Sequence, residues 1–183
     1  MLVEVVPVLN DLQTKLAGQN GDQVFDALKK ILRGENPFPV VGVGGLTVDL
    51  DSAPFIPDGF TVEEHQKGGI IEWDRTKVRL HLDDGQKNGN VIVGNKLRKI
   101  IAKLSPYNAN LLDFFLKKEN QHLIPEEWKG KVVFFWGTIY RDAGGNLCVR
   151  YLYWCGTGWR WDYDWLCDDW SDDRPALVPA SQS

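Results

Sequence analysis

The stretch Trp159-Arg-Trp-Asp-Tyr-Asp-Trp165 decides how the chain is read. Trp159, Trp161, Tyr163 and Trp165 occupy alternate positions, with Arg160, Asp162 and Asp164 between them. Successive side chains of a strand point to opposite faces, so one face here is aromatic and the other charged. That is the pattern of a half-buried strand. Five of the eight tryptophans fall between Trp154 and Trp170, and the segment before them supplies a body to bury them in. Lys131 to Arg141 reads as a strand, with Val133, Phe135, Gly137 and Ile139 on one face and Phe134, Trp136 and Thr138 on the other. Asp142-Ala-Gly-Gly-Asn146 is a turn, and Leu147 to Trp154 is the hairpin partner.

Further upstream, helical periodicity appears. Asn95 opens a helix with Leu97, Ile100, Ile101 and Leu104 on one face, stopping before Pro106. Asn108 can cap another that carries Leu111, Leu112, Phe115 and Leu116. Ile124-Pro-Glu-Glu-Trp-Lys-Gly130 is a connector with one aromatic anchor. Val78, Leu80 and Leu82 alternate with Arg79 and His81 as a half-buried strand, and Leu46, Val48 and Leu50 suit a short one. Asp83-Asp84-Gly85 and Asn88-Gly89-Asn90 are turn clusters. The order is strands, two helices and then a run of strands, which predicts an α+β domain over 37–183. Residues 1–36 read as a small N-terminal helical segment for oligomerisation or attachment, since Val24, Phe25, Leu28, Ile31 and Leu32 recur at helical spacing and Gly34 and Pro37 follow.

Composition bounds the function. The chain has 183 residues, 43% apolar and 25% charged, an ordinary globular balance. No apolar run approaches the roughly 18 residues of a bilayer span, so no membrane insertion is expected. Met1-Leu-Val-Glu-Val-Val-Pro7 has no basic region and no long apolar run, so no cleavable signal peptide is expected. The net charge of −4 is concentrated: Trp159 to Arg174 holds six Asp and two Arg, and the other 19 acidic and 19 basic residues cancel. Such a stretch repels a phosphate backbone, so no nucleic acid is expected there. Cys148, Cys155 and Cys167 match no zinc spacing, and His65, His81 and His122 form no ligand pair, so no metal and no cofactor are expected. Gly42-Val43-Gly44-Gly45 lacks the third glycine of a dinucleotide fingerprint and reads as turn chemistry.

From Val132 to Ser181 there is no Lys, Glu, Gln or Met; every acid is Asp and every base is Arg. A merely solvated face uses Lys and Glu freely, whereas binding surfaces favour Trp, Tyr and Arg and avoid Lys and Glu. There is also a genetic account. Codons of the form any-any-C encode Asp, Arg, Cys, Ser, Thr and Gly but never Lys, Glu, Gln, Met or Trp. Cys155, Thr157, Gly158, Arg160, Asp162, Asp164, Cys167, Asp168, Ser171, Asp172, Asp173 and Arg174 all fit that set.

On these residues the chain resembles the variable proteins of diversity-generating retroelements. Ile124-Pro-Glu-Glu-Trp-Lys-Gly-Lys131, Phe134-Phe-Trp-Gly-Thr-Ile-Tyr-Arg141 and Val149-Arg-Tyr-Leu-Tyr-Trp154 look like their scaffold. Trp159, Trp161, Tyr163, Trp165, Leu166, Asp169, Trp170, Pro175 and Ala176 look like the frame of their variable region, here about 147–181. The likeness covers about 73–181; the tail after Leu177 departs from it, and two framed positions are Cys. It implies a C-type lectin fold, and a 3′ gene segment rewritten at template adenines, chiefly in AAC codons. A protein or surface ligand would then meet Cys155, Thr157, Gly158, Arg160, Asp162, Asp164, Cys167, Asp168, Ser171, Asp172, Asp173 and Arg174. Trp154, Trp159, Trp161, Tyr163, Trp165 and Trp170 would form the scaffold beneath. The three thiols without a signal peptide favour a virion or cell-surface setting over the cytoplasm, and the N-terminal helical segment leaves a homo-oligomer open.

Other readings stand beside it. Asp162, Asp164, Asp168 and Asp169 are hard oxygen ligands that would suit a calcium-dependent carbohydrate-binding lectin. Paired Asp could serve glycoside hydrolysis, but no nucleophile elbow, His-Glu-x-x-His or phosphate loop is present, so no enzyme is expected. A structural or assembly subunit would dock its Trp-rich end on a neighbour.

Overall fold

The aromatic segment folds as expected, on the edge of a curled antiparallel sheet. A computed structural model describes residues 46–180, together with residues 13, 14, 17, 25, 28, 29 and 33. The chain divides into two compact units, Met1–Gly45 and Leu46–Ser183. In the first, Gln13 and Thr14, and Phe25, Leu28 and Lys29, are helical and Ala17 and Arg33 are in turns; the remainder of the expected helical segment lies outside the described residues.

In the second unit the strands are β1 (Thr47–Asp49), β2 (Thr61–His65), β3 (Ile70–Glu72), β4 (Val78–His81) and β5 (Ile92–Val93). Helices α1 (Gly94–Ile101) and α2 (Ala109–Leu116) come next. Then come β6 (Val133–Phe134), β7 (Thr138–Arg141), β8 (Leu147–Trp154), β9 (Trp159–Trp165), β10 (Asp169–Trp170) and β11 (Ala176–Pro179). The main sheet runs β2-β7-β8-β6-β11-β4, with β9 paired to the other side of β8. β1 pairs with β3 and β5 with β10 as two small separate ribbons. The unit is α+β, mostly β, with few helices.

Both helices form where periodicity places them, and α2 is capped as well. The Asn108 side chain accepts from Asn110 N and caps α2. Ser105, at φ 50°, ends the helical stretch before Pro106. Each helix covers one face of the sheet. Leu111, Leu112 and Phe115 of α2 pack with Val133, Phe135, Leu152, Trp159 and Leu177, and with the connector's Trp128. On the opposite face Leu97 and Ile101 of α1 pack with Phe134, Trp136, Val149, Leu166, Trp170 and Val178.

The expected strand over 131–141 is broken into β6 and β7. Gly137 leaves the ladder to bond elsewhere: its N donates to Tyr107 O (3.0 Å) and its O accepts from Gln66 N (2.7 Å). A Cβ at Gly137 would stand 2.6 Å from Pro106 O, so only glycine permits this approach. The detour reverses the facing of β7 relative to β6. Ile139 joins Phe134 and Trp136 rather than Val133 and Phe135.

Two strands that the sequence analysis does not place, β2 and β3, lie between Leu50 and Trp73. A third, β11, closes the sheet. Its four residues pair antiparallel with β4, and Ala176 pairs in parallel with Phe134. Ala176, Leu177 and Val178 are buried. The segment that departs from the family likeness is thus a central strand.

Candidate functional site

β8 and β9 pair over their whole length, from Cys148↔Trp165 to Trp154↔Trp159. Residues opposite one another in an antiparallel pair share a face. Trp159, Trp161, Tyr163 and Trp165 therefore face the α2 side and Arg160, Asp162 and Asp164 the other, as the alternation predicts. The aromatic face is graded in burial. Trp159 is buried, Trp161 and Tyr163 are half-buried, and Trp165 is 37% exposed.

Trp161 rests on a buried charge. The Arg150 guanidinium lies 4.1 Å from its ring centroid and makes two hydrogen bonds to Asp113 of α2, at 2.8 and 3.2 Å. Phe55 closes on the same indole edge-to-face at 5.9 Å, and Phe60 on Tyr163 at 4.9 Å. Trp165 is held from outside: its Nε1 donates to Asp142 Oδ2 at 3.0 Å, which with Asn146 N keeps that carboxyl below its usual range. Trp154 stacks edge-to-face on Trp159 at 5.5 Å. Trp170 is buried on the opposite side of the sheet, 4.2 Å from Phe134 and 4.7 Å from Trp136.

The polar face has a different character. Tyr153 stands opposite Arg160, Tyr151 opposite Asp162, and Val149 opposite Asp164. Burial, then Asp162 and Asp164, pushes the Tyr151 hydroxyl up to about 12. At the hairpin tip the Cys155 thiol meets Thr157 Oγ1 at 3.5 Å and accepts from Arg160 Nε at 3.2 Å. The Thr157 contacts, then Arg160, pull it down to about 6. A turn at 166–168 succeeds β9. There burial, then Asp168, pushes the Cys167 thiol up.

Cys155, Thr157, Arg160, Asp162, Cys167, Asp168, Asp172 and Asp173 are exposed. Four expected site residues are not fully open. Gly158 and Ser171 are half-buried, and Ser171 Oγ donates to Asp173 Oδ1 at 2.6 Å. Asp164 and Arg174 form an ion pair, with 17% and 29% of their side chains exposed. Burial pushes the Asp164 carboxyl up, and Arg174 offsets only part of it. Of the charged positions between the rings, Arg160 and Asp162 are thus open and Asp164 is tied up in an ion pair.

The backbone carrying these side chains is braced by residues 86–95, upstream in the chain. Gly94 N donates to Asp168 O (3.0 Å) and Asn95 N to Leu166 O (2.7 Å), so the start of α1 holds the 166–168 turn. Gln86 is buried, and its Nε2 donates to Ser171 O (2.9 Å) and Arg174 O (3.1 Å). Sequence reading missed Gln86, Gly94 and the Arg150–Asp113 pair. Signals existed: Asp83-x-x-Gln86 has capping-box spacing, and Arg150 and Asp113 are single charges inside apolar runs.

Among the described residues no group of three or more His, Cys, Asp or Glu is placed to hold a metal ion, and all three cysteines are free. No helix among them is long and apolar enough to cross a membrane. No family description, no protein of known function and no solved structure matches this sequence.

Proposed function

We propose that this is a ligand-binding protein whose C-terminal surface is diversified: a variable protein of a diversity-generating retroelement, built on a C-type lectin fold. One observation carries the reading. Along β9 and the turns on either side of it, all the large rings but Trp165 go into the body, while eight short or any-any-C-encodable side chains stand exposed on a backbone held by other elements. Rings with two torsions are rigid, so identity can change between them at little cost to the fold. The codon signature is an independent support. It explains the missing Lys, Glu, Gln and Met without reference to shape. The proposed diversified set is Cys155, Thr157, Arg160, Asp162, Cys167, Asp168, Asp172 and Asp173. Asp164 and Arg174 belong to the support, as a pair. With its present carboxylates the face suits a basic protein surface.

The test is a displayed library randomised with any-any-C codons at those eight positions. Most members should stay protease-resistant, and selection against a fixed basic protein should return binders that vary only there. A library in which most members are digested would end the proposal. The flanking DNA checks the origin: a reverse transcriptase and a near-copy of the last coding segment, with AAC at these positions.

A further inference from the structure

Away from β9, the structure holds a cavity of about 500 Å³ beside β4. Arg79 and His81 of β4 line it, with Lys87, Lys131 and Asp172 around it and Leu82 and Pro175 among its apolar walls. Asp83 and Asp84 also belong to it, but both are engaged: Asp83 Oδ1 accepts from Gly85 N at 2.9 Å, and Asp84 pairs with Lys87 at 2.8 Å. Lys131 Nζ donates only to a carbonyl, Glu127 O at 2.8 Å. Arg79 Nη1 bonds His81 Nδ1 at 3.0 Å. An arginine only donates, so Nδ1 accepts and the ring proton sits on Nε2, which is buried without a partner among the described residues. Arg79 and Lys131 thus have no carboxylate partner among the described residues, and they converge on one concavity.

We infer that this cavity is an oxyanion site, taking a phosphate or carboxylate group between Arg79 and Lys131. Arg79 presents a planar donor fork whose orientation His81 fixes, the geometry that recognises such groups in bidentate fashion. Lys131 adds a point charge, and the apolar walls limit hydration. Asp172 is the opposing charge at the rim. The same turn that carries Lys87 also carries Gln86, which braces the 171–174 segment. The cations of the site thus come from β4 and the connector before β6, and its rim carboxylate from the segment that Gln86 braces. The inference stands without the ligand-binding reading above.

The experiment is a titration of the full chain with sodium phosphate, and separately sodium acetate, at constant ionic strength, followed by amide NMR. Saturable shifts confined to residues 79–87, 131 and 172–175 are expected, at millimolar concentrations. The double variant Arg79→Gln, Lys131→Gln should weaken phosphate about tenfold or more, and Asp172→Asn should tighten it a few-fold. Lys96→Gln with Lys99→Gln, on the exposed side of α1, should change nothing. Saturation by phosphate alone assigns a phosphate site; saturation by both assigns a general carboxylate and phosphate site. Linear, unsaturated shifts up to about 50 mM in both salts, or equal weakening by the two double variants, overturn the inference. Should the first double variant lose its dispersed spectrum, Arg79→Lys replaces it, keeping charge without the fork; unchanged phosphate affinity there counts against the site.

Discussion

Cys155 is exposed, yet its thiol ionises near neutrality, because Thr157 and Arg160 hydrogen-bond the sulfur. The other two thiols move the opposite way. Burial pushes Cys148 up to about 12, and burial with Asp168 pushes Cys167 up. The thiolate is the nucleophile, so a lowered pKa makes the reactive form dominant above it. Iodoacetamide at pH 7 should therefore label Cys155 first. Its rate should reach half of its plateau near pH 6, as monitored by peptide mass spectrometry. Arg160→Ala should move that midpoint upward. A midpoint at pH 8 or above in the parent protein would mean that these contacts do not hold the anion. None of this is legible in the sequence: Cys155 and Cys167 look alike there, and only the turn at Gly156-Thr157 brings the hydroxyl and the guanidinium onto one sulfur.

At the scale of elements, the polar stripe keeps its shape because segments upstream in the chain grip its backbone. Gly94 is the tightest grip. A Cβ there would stand 2.3 Å from Trp170 Nε1 and 2.9 Å from Leu166 Cα. Helix propensity alone favours alanine over glycine by up to ~1 kcal/mol. Overpacking opposes it by ~1–3 kcal/mol, and the contact includes backbone that cannot swing away. Packing should win, so Gly94→Ala should lower the calorimetric melting temperature, by about 2–6 °C. In a Trp170→Phe background, where the clashing nitrogen is gone, the same change should cost measurably less. A melting temperature raised by Gly94→Ala would show that propensity prevails. The pattern of elements was readable where periodicity is strong: α1, α2, β8 and β9 lie where spacing places them, with the Asn108 cap adding to α2. It failed where tertiary bonds decide. The break at Gly137 depends on Tyr107 and Gln66, far along the chain, and β11 is a short apolar run whose strand character comes from β4 and β6.

Over the whole molecule, charge is divided between two kinds of carboxylate. Asp113 neutralises Arg150, which is buried beneath Trp161. Asp162, Asp168, Asp172 and Asp173 are exposed to water, Asp162 on the opposite face of β9 and the others in the turns after it. In the sequence Asp113 differs from the other four only as a lone charge inside an apolar run, and its pairing with a buried arginine completes the separation. Removing Asp113 leaves a buried guanidinium without a counter-charge, which costs about 3 kcal/mol or more. For a chain of this size that is roughly 6–12 °C in melting temperature. Changing all four exposed Asp to Asn removes repulsion inside one acidic stretch and breaks no buried contact. The melting temperature should then stay within about 2 °C of the parent, or rise slightly at low salt. Asp113→Ala and the fourfold Asn variant, compared by calorimetry at two ionic strengths, thus test whether stability and the acidic face are separable. A fall of more than about 6 °C in the fourfold variant would place those carboxylates in the fold, and leave the chain no surface free to be rewritten.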